Sequence, residues 1–132
     1  MTSILIIDDN PLNLKLARVV LCNAGFAVHE ATAAEQAIEM LEHVQPDVIL
    51  VDLQLPGMDG LELTRRLKAD PHTAAIKILA VTSFAMKDGA GRARQAGCDY
   101  YLTKPIDTRQ LPDIVRAVLT DPVAIPVVQE AV

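Results

Sequence analysis

Four stretches of this sequence pair an apolar run with a polar ending that could do chemistry. Ile4 to Ile7 is followed by Asp8, Asp9 and Asn10, and Val48 to Val51 by Asp52. KILAV ends on Thr82 and Ser83, and YYLT on Lys104 and Pro105. Short apolar runs bounded by polar residues suit parallel strands covered on both faces. Open α/β sheets gather their ligand sites at the carboxyl ends of such strands. If the four endings meet in one crevice, three carboxylates, a hydroxyl and an ammonium share a small pocket. Crowded carboxylates repel one another unless a cation compensates. A hard divalent ion held by one or two carboxylates, a carbonyl and waters is the expected partner, which is the coordination habit of Mg²⁺. On the far side Thr82 donates a hydrogen bond and Lys104 supplies a point charge. The set is a receptor for a dianionic phosphoryl group placed against Asp52, a carboxylate nucleophile that becomes an aspartyl phosphate.

Each residue alone has an ordinary explanation. Asp52 alone reads as a turn residue and Asp8-Asp9-Asn10 as a helix cap. Thr82 alone is strand composition, and Lys104 alone is a surface lysine. Four polar endings after four apolar strands are hard to obtain by accident, and the conjunction carries the reading.

The elements that must hold these residues alternate strand and helix five times with short connections. That pattern predicts an α/β fold with a five-stranded parallel sheet and right-handed crossovers, and in a doubly wound sheet the first and third strands are adjacent. Asn10 and Pro11 form an N-cap and N1 pair opening a helix that buries Leu14, Ala17, Val20 and Leu21 and ends at Gly25. Cys22 falls on that helix's apolar stripe. FAVHEA is a more polar strand at a sheet edge. Thr32 and Glu35 read as a capping box for the second helix, which Pro46 stops. A third helix starts near Asp59 and closes at Asp70-Pro71; on it Arg65, Arg66 and Lys68 decorate a solvated face. A weaker fourth helix spans about Lys87 to Ala96. Asp107 and Gln110 resemble a second capping box before a last helix with Leu111, Ile114, Val115, Val118 and Leu119 inward. Pro112 leaves the start of that helix open.

The chain has 132 residues, 51% of them hydrophobic, which suits one domain with a real core. Residues 1–120 are expected to form that domain, and 121–132 a tail with Pro122 and Pro126 that is extended or mobile, its valines leaving docking on a surface open. The formal net charge of −5 lacks the basic surface that DNA binding needs. No apolar run is long enough to cross a membrane and no leader precedes the first strand, so a cytoplasmic protein is expected. Cys22 and Cys98 have neither CxxC spacing nor histidine neighbours, which speaks against zinc.

The motifs IDDN at 7–10, VDLQLPGMDG at 51–60, TSFAM at 82–86 and AGCDYYLTKPI at 96–106 resemble, in order and spacing, the receiver domain of two-component response regulators. The resemblance covers about Ser3 to Leu119 and implies a doubly wound, flavodoxin-like sheet of strand order 2-1-3-4-5 flanked by five helices. It implies that Asp52 is the phosphoacceptor, served by a histidine kinase or a histidine phosphotransfer protein. It also implies that Asp9, Asp52 and the backbone carbonyl of Gln54 bind Mg²⁺, with Asp8 reaching it through water. Thr82 and Lys104 would contact the phosphoryl oxygens, and Tyr101 would be the aromatic that turns inward with Thr82. The expected function is a single-domain signalling switch of the chemotaxis or cell-cycle type rather than a turnover enzyme. Two alternatives are a receiver excised from a hybrid histidine kinase and a metal-dependent phosphohydrolase with an aspartate nucleophile.

Overall fold

A computed structural model describes residues 2–55, 57–82, 89–103 and 107–120. Five strands, β1 (Ser3–Ile7), β2 (Ala27–Ala31), β3 (Val48–Asp52), β4 (Lys77–Thr82) and β5 (Tyr100–Thr103), form one parallel sheet in the order β2-β1-β3-β4-β5. Between and after them run α1 (Pro11–Asn23), α2 (Ala34–Met40), α3 (Gly60–Ala69), α4 (Gly89–Ala96) and α5 (Leu111–Thr120). Every residue of β3 is buried, as a central strand covered on both faces requires. Alternation along the strands divides the core in two. Ile7, Ile49, Val51, Ile78 and Ala80 pack with Ala37, Leu63, Leu67 and Ala93 of α2, α3 and α4. Ile6, Val48, Leu50, Leu79 and Val81 pack with Leu14, Ala17 and Leu21 of α1 and Ile114, Val115 and Val118 of α5.

The helix starts follow their caps. Asn10 Oδ1 accepts from the N–H groups of Leu12 (2.9 Å) and Asn13 (3.3 Å), with Pro11 at the first helical position. Asp59 Oδ1 accepts from Glu62 N–H at 2.8 Å. Gly25, at φ +98°, takes the left-handed conformation that ends α1. Pro112 is the second residue of α5, inside the first turn where its missing N–H leaves no bond unmade. Asp107 caps that turn through the Arg109 N–H (3.0 Å), and this pair holds its carboxyl below the usual carboxylate range.

Four expectations are corrected. The expected Thr32–Glu35 capping box is replaced by a side chain one residue further on. Gln36 Oε1 accepts from both the N–H (2.7 Å) and the hydroxyl (3.0 Å) of Thr32, and the cap position falls on Ala33. The helix itself stops at Met40, well before Pro46. Cys22 is exposed, because α1 buries Leu14, Ala17 and Leu21 and the residue after Leu21 rotates off that stripe. Lys68 is not a solvated side chain like Arg65 and Arg66. Its ammonium donates to the carbonyls of Ala74 (3.2 Å) and Ile76 (2.8 Å) and to Asp99 Oδ2 (3.1 Å), tying α3 to the start of β4 and β5.

Candidate functional site

The strand order makes β1 and β3 neighbours, with Ile7 paired to Val51, so the residues that follow emerge side by side. Asp8 and Asp52 are each 6% exposed, whereas Asp9 stands in the open. One carboxylate oxygen from each of Asp8, Asp9 and Asp52 falls within 4.8 Å of the others. Local backbone chemistry aims two of them. Asp8 Oδ1 accepts from Asn10 N–H and Asp52 Oδ1 from Gln54 N–H, both at 2.9 Å, a turn that pins each side chain over its own loop. Oxygen ligands lie about 2.0–2.6 Å from Mg²⁺ or Ca²⁺, so two ligands of one ion are separated by at most about 4–5 Å. The donor set therefore fits a hard divalent cation in charge, atom type and spacing.

The floor of the site is set by Gly60. Its N–H donates to the Leu53 carbonyl at 3.2 Å. A Cβ there would lie 2.7 Å from both the Asp52 carbonyl oxygen and Leu53 Cα, which real Cβ atoms do not tolerate. The first residue of α3 must be glycine for the helix to stand directly against the Asp52 backbone. Gly57, at φ +77°, makes the bend before it.

Thr82 is the last residue of β4, one beyond the Val81 that pairs with Asp52, and it is fully buried. On β5 the matching position is Thr103, also buried at 4%, a second hydroxyl at this edge that sequence reasoning missed. The signal was available: a threonine two residues after a buried aromatic, in line with the end of β4. Tyr101 pairs with Ala80 and is 3% exposed within the α2–α4 side of the core; burial pushes its phenol above the ordinary tyrosine range. Thr82 and Tyr101 thus share one face of the sheet by alternation. Gln54 lies in the turn after β3. Ser83, Lys104, Pro105 and Pro56 lie outside the described residues, and so does the tail.

The fold and site together define a class. A 2-1-3-4-5 doubly wound sheet with its acid cluster where the strand order reverses is the flavodoxin-like arrangement. A family model described as the response regulator receiver domain matches residues 4–116, and this chain belongs to that family. The polar-differentiation response regulator DivK of Brucella ovis is 38% identical over 119 residues, 90% of this chain and 97% of its own. A putative response regulator from Chloroflexus aurantiacus has a crystal structure that matches with a TM-score of 0.85 at 30% identity, covering 89% of this chain and 97% of that one. A response regulator from Burkholderia pseudomallei, solved with a phosphorylated aspartic acid, a calcium ion and citrate, matches with a TM-score of 0.79 at 28% identity, over 92% of this chain and 68% of that one. The protein is therefore a DivK-like receiver of two-component signalling. Among the described residues no helix is long and apolar enough to cross a membrane.

Proposed function

We propose that the chain is a phosphorylation-controlled switch in which Asp52 accepts a phosphoryl group from a phosphohistidine on a histidine kinase or a histidine phosphotransfer protein. The observation that carries this reading is the cluster of Asp8, Asp9 and Asp52 at the β1/β3 switch point. In the transfer an Asp52 carboxylate oxygen attacks phosphorus and the N–P bond of the donor breaks. The imidazole nitrogen leaves with the bonding pair and takes up a proton from solvent. Asp9, Asp52 and the Gln54 carbonyl hold Mg²⁺, with Asp8 acting through water, and the ion supplies charge neutralisation for the phosphoryl oxygens. Thr82 donates its hydroxyl to one of those oxygens and Lys104 offers its ammonium to another. The neighbour solved with a phosphorylated aspartic acid and a divalent ion lends support.

Phosphorylation adds about −1.5 to −2 charges at the head of β3. In the switch Thr82 moves toward that group, and Tyr101 on the same face responds in turn. The α4–β5–α5 surface is the output, read by a protein partner or used for onward transfer. Incubation with Mg²⁺ and acetyl phosphate followed by intact mass tests the reading. One phosphoryl group is expected on wild type and none on Asp52→Asn; an unlabelled wild type, or full labelling of the variant, would sink it.

A further inference from the structure

Along helix α3, Gly60, Thr64 and Lys68 follow one another at steps of four, which places them on one ridge of the helix. Each meets a different part of the molecule. A Cβ on Gly60 would lie 2.7 Å from the Asp52 carbonyl oxygen, so the helix begins in contact with the main chain of that residue. Thr64 is fully buried and accepts a hydrogen bond from the Cys98 thiol at 3.7 Å. The Lys68 ammonium reaches Asp99 Oδ2 at 3.1 Å, and a Cβ on Gly97 would lie 2.7 Å from Lys68 Cγ. The ridge thus runs from the acid cluster to the turn between α4 and β5, which grips it at two points one helical turn apart.

Thr64 is the middle link. Its hydroxyl donates to the Gly60 carbonyl at 2.8 Å, an acceptor that the helix ladder already gives to the Thr64 N–H. A threonine that bonds back four residues bends its helix. Here the bend falls in the first turn of α3, where the Gly60 N–H donates to the Leu53 carbonyl at 3.2 Å. On the other side, the Cys98 N–H donates to the Ala93 carbonyl at 3.0 Å, which ties the thiol's own backbone to α4.

A buried hydroxyl needs only the bond back along its helix to be satisfied. The thiol from a second element does more, because with that bond on its oxygen the hydroxyl keeps its proton on the Gly60 carbonyl. Packing alone does not call for this pair. The apolar cluster that includes Cys98 also holds Leu63, Leu67, Ala93 and Tyr101, and two apolar side chains of the same shape would leave no polar group to satisfy.

We propose that Thr64 is a positioning residue for Asp52. Its hydroxyl, steadied by Cys98, sets the tilt of the first turn of α3. Gly60 passes that tilt to the Asp52 main chain, and so to the spacing of the Asp52 carboxylate from Asp8 and Asp9. The consequence for metal binding stands on the acid cluster alone, whereas the consequence for phosphoryl transfer rests on the reading of Asp52 as the phosphoacceptor.

Three variants of the full chain separate this role from packing. Thr64→Val keeps the shape and loses the hydroxyl, Thr64→Ser keeps the hydroxyl, and Cys98→Ala removes its partner. Amide spectra of ¹⁵N-labelled protein read the site with no phosphoryl donor present. In metal-free protein Thr64→Val should move the amide signals of Leu53 and Gln54. Its Mg²⁺ dissociation constant, taken from those signals, should rise about fivefold, the worth of one ordinary hydrogen bond. Thr64→Ser should stay within about twofold of wild type. Cys98→Ala should weaken Mg²⁺ about twofold and add nothing to Thr64→Val when the two are combined, since both act through one hydroxyl. A lower urea midpoint for Thr64→Val with unmoved Leu53 and Gln54 signals and an unchanged Mg²⁺ constant overturns the proposal. Equal weakening in Thr64→Ser and Thr64→Val overturns it in favour of packing. If Thr64→Val does not fold, Cys98→Ala decides, and wild-type signals and Mg²⁺ affinity in that variant overturn the proposal. Acetyl phosphate labelling is read separately: an unlabelled wild type strikes the phosphoacceptor reading and leaves the Mg²⁺ comparison standing.

Discussion

At the amino-terminal edge of the sheet, Asp47 Oδ2 accepts from Ser3 N–H, and Asp99 Oδ2 accepts from Ile78 N–H and the Lys68 ammonium, all at 2.9–3.1 Å. At the carboxyl edge, Asp8, Asp9 and Asp52 are drawn to within 4.8 Å of one another. The first arrangement spreads negative charge and spends each carboxylate on fastening one segment to the next. The second concentrates it where two loops diverge. Compensated charge steadies a fold, whereas crowded like charge weakens it and waits for a cation. The difference teaches where this fold is held and where it is poised.

The comparison can be broken at either edge. The largest effect is expected from Gly60→Ala, because the new Cβ meets two backbone atoms at 2.7 Å and neither is the end of a flexible side chain. A loss of about 3 kcal/mol by urea denaturation is expected, with weakened Mg²⁺ binding; an unchanged midpoint would mean that α3 moves off Asp52 freely. Next comes an alkaline limit. Cys98 donates to Thr64, whose hydroxyl donates to the Gly60 carbonyl at 2.8 Å, and burial pushes the thiol from 9.0 up to about 11. The unfolded chain therefore loses this proton first. Stability from Cys98 is whole below pH 9 and declines toward pH 11, by about 2–3 kcal/mol in all. Cys98→Ala should flatten that part of the stability–pH curve.

At the fastened edge, Asp99→Ala strands the Ile78 N–H and one donor of a largely buried Lys68, for an expected loss of about 2 kcal/mol. At the crowded edge, Asp52→Asn should do the opposite and gain about 1 kcal/mol without divalent ions, an advantage that salt screens. Added Mg²⁺ should reverse the order by stabilising wild type more than the variant. Equal signs for the Asp99 and Asp52 substitutions would erase the distinction between the edges.

Much of this was legible beforehand. The alternation of strand and helix, the acid endings and the caps at Asn10 and Asp59 follow from apolar runs and local turn chemistry, which are written within a few residues of each other, whereas the strand order came from the family resemblance. What escaped depends on contacts between distant segments. Lys68 looked like its neighbours Arg65 and Arg66 because nothing near it announces that the Ala74 and Ile76 carbonyls and Asp99 converge there. Gly60 read as a helix start, and only the packing of α3 against β3 reveals that a methyl group is excluded. The Thr32 cap went to Gln36 rather than Glu35 because two side chains on one helical turn compete for the same donors, and spacing alone does not rank them.

One consequence lies in the three residues Asp8, Asp9 and Asn10. Asp8 takes the Asn10 N–H, and Asn10 in turn takes the first free N–H groups of α1. The acid cluster and the helix cap are consecutive links of one hydrogen-bonded chain. Whatever changes the charge at Asp8 is handed to the opening turn of α1 with no moving part between them. Amide hydrogen exchange at Leu12 and Asn13 should therefore slow when a divalent cation is added and quicken when it is chelated. That makes the first turn of α1 a gauge of the occupancy of the site.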